Sequence, residues 1–342
     1  MSLYNKYRPT TLNDVVGQSF TIQCLNNAIN NNKLPHTILL TGLWGVGKTT
    51  IARCLANSLN IDKDDINEIN AASSTGIDDI RKILDMCRMY PSKSKYKLYI
   101  LDEVHQLSNS AFSALLKVLE EPAKHNIFVL CTTEDSKLPT TIKSRCTNFV
   151  LNAIDRDVMF NYLKDITIKE SVKIDDASIH LVVRKSNGSM RDALVLLEKL
   201  IMFSNEITID YSNKLLMTLD YHLLDSFFVS YYNNKIDVWF PLISEFINNG
   251  ISCETFAKEM LNYCRIMLIY ITNSSDTSCN ILSESCKEIV LKLKLKICIL
   301  LNTLNDYLIT YKHIGHKQLA LELLFIDFKI KLKEKNENSN TN

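Results

Sequence analysis

A run of glycines followed by lysine and threonine is the segment whose spacing most clearly indicates chemistry. Residues 41–50 read TGLWGVGKTT and fit the pattern G-x-x-x-x-G-K-[ST]. Glycines allow backbone turns that point successive N–H groups at phosphate oxygens. Lys48 suits the β- and γ-phosphates, and the Thr49 hydroxyl suits Mg²⁺. The segment therefore predicts a nucleoside triphosphate site, formed by Gly42, Leu43, Trp44, Gly45, Val46, Gly47, Lys48, Thr49 and Thr50.

The alternative for this segment is a glycine turn that only joins a strand to a helix. An apolar run at 37–40 precedes the loop, and a helix-like run at 50–59 follows it. That helix would direct the positive end of its dipole at the phosphates. Strand, loop and helix therefore agree on a phosphate site.

An acidic pair follows the apolar run 97–101, about fifty residues after the loop. Asp102 is placed to bind Mg²⁺, and Glu103 is placed to orient or deprotonate an attacking water. The alternative is a pair of solvated loop carboxylates. Thr132, at the end of a later strand, could hold that water or sense the γ-phosphate, since a hydroxyl both donates and accepts hydrogen bonds. It could equally bond its own backbone.

Two arginines lie where a phosphate could use them. Arg191 falls in the first turn of a helix predicted to begin at Ser189, where a cation opposes the helix dipole. That position makes sense if Arg191 faces an anion, although a solvent-exposed arginine is the simpler alternative. Arg145 ends a short predicted helix, where the dipole favours a cation. Its functional interpretation is an arginine finger directed at a neighbouring subunit's nucleotide.

The elements that must position these residues alternate between strand and helix up to residue 154. Strands are predicted near 37–40, 68–72, 97–101, 127–131 and 148–151. Such alternation predicts an α/β domain with a parallel sheet covered by helices on both faces, and ligands there bind at the carboxyl ends of the strands. From about Asp155 the pattern becomes helical, without strands. Residues 291–297 alternate leucine and lysine but are predicted to be helical because of their flanks.

Composition limits the class of protein. The 342 residues are 46% hydrophobic and 23% charged, with a net charge of +1, so any nucleic-acid contact must come from a local patch. The ten cysteines show no zinc spacing, and no apolar run approaches the length of a membrane span. We therefore expect reduced thiols, a cytoplasmic protein and no membrane partner.

Several motifs in order resemble the gamma/tau subunit of the bacterial DNA polymerase III clamp loader, an AAA+ ATPase. They are KYRP at 6–9, VGQ at 16–18, the loop at 41–50, DEVH at 102–105, LLK at 115–117, LEEP at 119–122, TT at 132–133, SRC at 144–146 and GSMRDAL at 188–194. The resemblance is strong over residues 1–217 and weak beyond. It implies an AAA+ domain at 1–154, a helical lid at 155–217, a helical collar for oligomerisation at 218–335 and a disordered tail at 336–342.

The resemblance also implies roles and partners. It implies ATP and Mg²⁺ as cofactors and a ring of five subunits, including copies of this chain, that loads a sliding clamp onto primer–template DNA. Tyr7, Arg8, Val16 and Gly17 would line the adenine side. Lys48, Thr49, Asp102 and Glu103 would bind and hydrolyse ATP. Thr132 would be the first sensor, Arg191 the second, and Arg145 the finger that acts across the interface.

Three features depart from the family pattern. The family usually carries a four-cysteine zinc module after the loop helix, but residues 59–68 contain no cysteine, so we predict no zinc. The chain ends after the collar and is expected to be a short, gamma-like form. Trp44 stands where the family often has arginine.

The stretch 73–76, with Arg81 and Lys82, is a candidate DNA contact, and an ordinary helix cap is the alternative.

Two other functions remain possible from the sequence. One is a different AAA+ motor on DNA of the branch-migration type, which should end in a winged helix rather than in helices alone. The other is a ring scaffold that binds ATP without hydrolysing it, for which Lys48, Glu103 and Arg145 together would be unnecessary.

Overall fold

The chain folds into two compact units, Met1–Ser212 and Asn213–Asn342, each with its own hydrophobic core. The computed structural model describes residues 2–73, 77–204, 206–216, 221–232, 239–248, 252–273, 282–313 and 315–339. The predicted domain boundaries at 154 and 217 remain predictions. Contacts divide the chain at 212.

A parallel sheet forms the centre of the first unit, as the alternation of strands and helices predicts. Its strands are β1 (Thr37–Gly42), β2 (Ile66–Asn70), β3 (Lys97–Asp102), β4 (Asn126–Thr132) and β5 (Thr147–Leu151). Their order is β2-β3-β4-β1-β5, and every neighbouring pair is parallel. Gly42, Asp102 and Thr132 are the last residues of their strands, so all three lie at one edge of the sheet.

Helices cover both faces of this sheet. They are α2 (Ser19–Asn30), α3 (Lys48–Ser58), α4 (Ile77–Cys87), α5 (Asn109–Glu120) and α6 (Thr140–Lys143). The short helix α1 (Leu3–Lys6) precedes them in the chain. Successive strand residues point to opposite faces. Leu40 of β1 therefore packs in the cluster that contains Ile51 of α3, and Leu39 packs in the cluster that contains Leu115 of α5. Each such buried leucine stabilises the fold by roughly 1.5–3 kcal/mol.

A small helical part completes the first unit. Its helices are α7 (Arg156–Lys169), α8 (Asp176–Lys185) and α9 (Met190–Ile201). The next helix, α10 (Ile209–Leu215), includes the point at which contacts divide the chain. Asp155, Asp175 and Ser189 accept hydrogen bonds from backbone N–H groups at the starts of α7, α8 and α9. These side chains satisfy donors that a helix start leaves without partners, which is why the helices begin there.

The expectation that strands end before Asp155 was wrong. Lys173–Ile174 and Glu206–Ile207 form two short parallel strands, β6 and β7. Two residues are too few for a periodic pattern, so only the contact between distant segments reveals the pair. The predicted strand 68–72 begins and ends two residues earlier, at 66 and 70, because its pairing with β3 sets its ends.

The described part of the second unit consists of helices. They are α11 (Tyr221–Tyr232), α12 (Trp239–Asn248), α13 (Cys253–Thr272), α14 (Glu284–Val290), α15 (Lys294–Thr310) and α16 (Lys317–Ser339). In its core, Phe227 stacks on Trp239, and Phe325 meets both rings edge to face. Residues 291–297 form a 3₁₀ turn and the start of α15, which confirms the helical prediction. No strand of a winged helix occurs among these described residues.

The predicted disordered tail at 336–342 was wrong for its first four residues, because α16 continues to Ser339. Lysine and glutamate at 333–337 are good helix formers, so a polar composition does not by itself end the helix. Among the helices that the structure describes, none is both long and apolar enough to span a bilayer.

Candidate nucleotide site

A cavity of about 470 Å³ opens in the first unit at the carboxyl edge of the sheet. Strand ends, the chain before α2 and the start of α9 form its walls. Predicted site residues that line it are Tyr7, Arg8, Val16, Trp44, Gly45, Val46, Gly47, Lys48, Thr49, Thr50, Asp102, Glu103 and Arg191. Predicted residues outside its lining are Gly17, Gly42, Leu43, Thr132 and Arg145. The roles of all of these remain predictions.

The phosphate loop depends on the conformational freedom of Gly45 and Gly47, among others. Gly47 has φ +106° and ends the loop at the start of α3. Gly45 has φ +72°, and a Cβ atom there would lie 2.0 Å from Oγ of Ser189. The start of α9 can therefore lie directly against the loop only because residue 45 has no side chain.

Lys48 is held on the floor of this loop. Its Nζ donates hydrogen bonds to the carbonyl oxygens of Gly42 at 2.9 Å and Leu43 at 2.8 Å. Gly42 and Leu43 therefore contribute through their backbone, although they do not line the cavity. Burial lowers the pKa of Lys48, while the nearby Glu103 and Asp102 carboxylates act in the opposite direction. An anion in the loop would offset the cost of burying this ammonium.

Thr49, in the first turn of α3, contacts Asp102, the last residue of β3. The Thr49 hydroxyl donates to Oδ2 of Asp102 at 2.8 Å. A hydroxyl and a carboxylate oxygen this close, both on the cavity wall, suit a magnesium ion that also binds phosphate oxygens and waters. No group of three or more metal-binding side chains occurs within the described ranges. Such a site would therefore take its remaining ligands from the nucleotide and from water.

Glu103 is buried and held by neighbouring side chains. Its backbone adopts the left-handed conformation with φ +50°. Its Oε2 accepts a hydrogen bond from Thr133 at 3.1 Å and lies 3.4 Å from Nδ1 of His105. These contacts restrict the carboxylate to one orientation at the cavity wall. Sequence reasoning assigned no role to Thr133 or His105.

Thr132 is fully buried beside this group and not in the cavity wall. Its hydroxyl lies 3.0 Å from Nδ1 of His105 and accepts from the backbone N–H of Glu134 at 3.0 Å. The sheet thus brings Thr132 next to the side chains that hold Glu103. The hydroxyl therefore bonds a local backbone group, as one interpretation expected, and it also contacts His105 beside Glu103. Its role as a sensor of water or of the γ-phosphate stays a prediction.

The chain before α2 forms the side of the cavity predicted for adenine. Burial and a hydrogen bond to Glu170 raise the pKa of Tyr7 to about 12, so the phenol stays protonated. Burial lowers the pKa of Arg8, as does the charge of Arg53. Gly17, with φ +80°, makes the turn next to this wall, where a Cβ atom would lie 2.8 Å from Ile154.

Arg191 reaches the cavity from the start of α9. Its guanidinium carbon lies 5.4 Å from the centre of the Trp44 ring and 5.1 Å from that of Tyr4. The backbone N–H of Arg191 donates to the carbonyl of Gly45 at 3.5 Å. Arg191 and the phosphate loop are therefore adjacent within one unit.

Arg145 lies away from the cavity, after α6. Its guanidinium forms an ion pair with Glu120 at the end of α5 and donates to the carbonyl of Thr141 at 2.7 Å. Both side chains of the pair are partly exposed. Arg145 therefore has partners in its own chain, on a surface that solvent reaches.

Several cavity residues had no assigned role in the sequence reasoning. They are Tyr4, Asn5, Pro9, Val15, Arg53, Ile154, Tyr162, Met190 and Leu194. Arg53 of α3 forms a two-pronged ion pair with Glu68 of β2, at 2.8 and 2.7 Å. Its place five residues after Lys48 puts it on the first turns of the loop helix, which is the sequence signal that could have indicated it.

Part of the candidate DNA segment, residues 74–76, lies outside the described residues. Ser73 is exposed after β2, and Arg81 and Lys82 are exposed on α4. Residues 59–68 form a short crossing with a 3₁₀ turn at Lys63–Asp65. The absence of zinc stays a prediction.

Two family models match parts of the first unit. The family model for DNA polymerase III, delta subunit, matches residues 60–155. The model for the DNA polymerase III clamp loader subunit, ATPase lid domain, matches residues 159–206. The second match covers α7, α8 and α9.

Curated proteins similar to this chain are subunits of bacterial DNA polymerase III. The DNA polymerase III subunit gamma of Buchnera aphidicola subsp. Schizaphis graminum is 41% identical over 236 residues, 63% of this chain and 65% of the relative. The chain is a relative of the gamma/tau subunits of bacterial DNA polymerase III. The tau subunit of Bacillus subtilis is 34% identical over 294 residues, 79% of this chain and 52% of that protein. That of Escherichia coli is 35% identical over 79% of this chain and 46% of its own length. The chain thus spans between about half and two thirds of these gamma and tau subunits.

Solved structures agree on the fold. The RuvB Holliday junction branch migration motor of Thermotoga maritima matches with a TM-score of 0.52 and 22% identity over 63% of this chain and 73% of that chain. Its likeness supports an AAA+ fold for this gamma/tau relative. The parallel sheet, the lid match and the helices of the described second unit together give the fold class expected from the sequence, an α/β domain with a helical remainder.

Proposed function

We propose that this chain is an ATP-driven motor subunit of a clamp loader, which opens a sliding clamp and loads it onto primer–template DNA. One observation carries the proposal. The phosphate loop, the Thr49–Asp102 pair, Glu103 and Arg191 all lie at a single cavity. The identity to gamma and tau subunits supports the choice of clamp loader among AAA+ motors.

ATP binding begins with the triphosphate in the loop at 42–49. Backbone N–H groups and the start of α3 would contact the phosphate oxygens. Lys48 already points its ammonium into the loop, so β- and γ-phosphate oxygens would lie beside it. Tyr7, Arg8 and Val16 would enclose the base.

Thr49 and Asp102 are the residues that would hold Mg²⁺. When bound, the ion would supply positive charge to the phosphate oxygens of the nucleotide. The hydrogen bond between the two side chains keeps both at the same point of the wall, so neither must move far to become a ligand.

Glu103 would serve as the base in hydrolysis. It would accept a proton from water as the water oxygen bonds to the γ-phosphorus. The bond from that phosphorus to the bridging oxygen breaks, and the products are ADP and inorganic phosphate. Thr133 and His105 both contact Oε2, and no donor in the described chain hydrogen-bonds Oε1. Oε1 is therefore the oxygen that we assign to the water.

Arg145 would act on the nucleotide of a neighbouring subunit. It lies outside its own cavity on a surface that solvent reaches, as a group used by a neighbour must. To act, its guanidinium would exchange Glu120 for the neighbour's phosphate. Such an arginine changes the rate by about 10³–10⁵ where it operates.

The wider assembly follows from the same proposal. The partners would be other clamp-loader subunits in a ring of five, the sliding clamp and primer–template DNA, in the cytoplasm. The second unit would be the collar that joins the subunits. Hydroxyls near residue 73, with Arg81 and Lys82, would contact DNA phosphates.

Hydrolysis measured with and without the other components tests the proposal. ATP turnover by the complex with its native partners should rise when clamp and primed DNA are added together. If ATP turnover does not change when clamp and primed DNA are added, the chain would be a ring scaffold or another kind of motor. Stimulation by four-way junction DNA instead of primed DNA would favour the branch-migration alternative.

A further inference from the structure

Trp44 is an exposed indole in the middle of the phosphate loop. Its side chain is 52% exposed, so it contributes little to the hydrophobic core. Indole rings have an electron-rich face that attracts cations. The cation at this face is the guanidinium of Arg191, 5.4 Å from the ring centre.

A second ring faces the same guanidinium. Tyr4 of α1 lies 5.1 Å from the guanidinium carbon of Arg191, so both aromatic rings contact one charged group. Within the described residues, no carboxylate forms an ion pair with Arg191. The rings are therefore the main groups that fix the position of this cation.

Backbone contacts also hold the main chain of Arg191 against the phosphate loop. The N–H of Arg191 bonds to the carbonyl of Gly45, and Ser189 packs against the Cα of Gly45. Residues 44 and 45 thus contact the start of α9 through both a side chain and the backbone. A cation at a helix start opposes the helix dipole, and the rings offset that cost.

We infer that Trp44, together with Tyr4, is a positioning residue that holds Arg191 at the mouth of the phosphate loop for the terminal phosphate of ATP. The inference rests on the proposed function. ADP lacks the phosphate that Arg191 would contact. By holding Arg191 in place, the rings of Trp44 and Tyr4 should therefore favour ATP over ADP. An exposed cation–π contact corresponds to about a 2- to 5-fold change in an equilibrium constant.

Nucleotide affinities of single and double variants test this inference. Trp44→Leu should weaken binding of a non-hydrolysable ATP analogue by about 2- to 5-fold and leave ADP binding unchanged. Trp44→Phe should restore the preference, since phenylalanine keeps a ring face. In an Arg191→Ala background, Trp44→Leu should have no further effect. Phe203→Leu, which removes another exposed ring outside the cavity lining, is the control.

Three results would overturn the inference. In the first, Trp44→Leu weakens the binding of the ATP analogue and of ADP equally. In the second, Trp44→Leu has its full effect in the Arg191→Ala background as well. In the third, Trp44→Leu changes the affinity for neither nucleotide. The first two would make Trp44 a residue that only shapes the loop. Failure of the unaltered chain to bind either nucleotide would instead refute the proposed function.

Discussion

The ammonium of Lys48 is the most informative single group in the cavity. It is buried, and it bonds only to carbonyl oxygens of its own loop within the described chain. Burial disfavours this cation, and the nearby Glu103 and Asp102 carboxylates offset part of that cost. A phosphate bound beside Lys48 would offset more of it, which is consistent with the nucleotide site predicted from the sequence.

Replacing Lys48 should separate binding from folding. Lys48→Ala removes the charge that faces the phosphates, so ATP affinity should fall by at least about 10- to 100-fold, as expected for a charge-assisted hydrogen bond. Calorimetry measures the affinity, and circular dichroism confirms that the chain is folded. Lys63→Ala, at an exposed position outside the cavity, should bind ATP normally. Retained affinity in Lys48→Ala would contradict the assignment of the site.

Arg145 poses a different question, because its contacts lie in its own chain. If it acts across a subunit interface, Arg145→Ala should leave ATP affinity nearly unchanged and remove DNA-stimulated hydrolysis by the assembled complex. Glu120→Gln, which weakens the ion pair but keeps the arginine, should retain stimulated hydrolysis. Steady-state turnover and calorimetry on the same preparations provide both measurements. Loss of ATP binding in Arg145→Ala would mean that the residue supports its own fold.

At the scale of elements, a loop without regular structure is fixed by one carboxylate. Asp65, at the end of the 3₁₀ turn before β2, accepts backbone N–H bonds from Ser92, Lys93 and Ser94 at 2.7, 3.0 and 2.9 Å. Burial raises the pKa of Asp65, but these hydrogen bonds outweigh it and bring the pKa well below its usual range. These hydrogen bonds connect the segment just before β2 to the loop that precedes β3.

This carboxylate should make folding depend on acid. A group whose pKa is depressed in the folded state stabilises it above its unfolded pKa, here about 4, and loses that contribution as pH falls further. Denaturant unfolding of the wild type should therefore show stability that declines below about pH 4. Asp65→Asn should cost about 1–3 kcal/mol at neutral pH and reduce that decline. Asp64→Asn, with its exposed carboxylate, is the matched control; an equal loss there would contradict the role given to Asp65.

At the scale of the whole molecule, the second unit has an exposed apolar stripe on α16. Leu319, Leu323, Ile326 and Ile330 are each at least two fifths exposed and are spaced by four, three and four residues. Residues at this spacing share one helix face. An exposed stripe of this kind on a helix supports the proposal that this unit joins subunits, since monomers seldom leave such a face open.

A charge in the stripe should weaken assembly. Leu323→Lys places an ammonium among the apolar side chains of α16. The ring formed with native partners should therefore dissociate at a higher protein concentration than the wild-type ring does. ATP affinity of the chain should be unchanged. Native mass spectrometry measures the assembly. Leu291→Lys, at another exposed leucine outside the stripe, should assemble normally. An intact ring with Leu323→Lys would remove α16 from the interface.

The sequence by itself determined the sheet, the phosphate loop and the acidic pair. Apolar runs that alternate with helical stretches leave few other folds, and glycine, lysine and carboxylates at these spacings carry their chemistry in their types. The helix over 291–297 was also predictable, because its flanks share the helical pattern. By contrast, the pairing of β6 with β7 and the ends of β2 depend on contacts between distant segments, which no local pattern records.

Only the tertiary structure decided which side chains surround each predicted group. Trp44 had no explanation in the sequence, because Arg191 is 147 residues after it and Tyr4 is 40 residues before it. Thr133 and His105 became relevant because the parallel edge brings β3 and β4 together beside Glu103. Residue types and spacing determine what chemistry is available, whereas packing between elements decides which groups are close enough to take part.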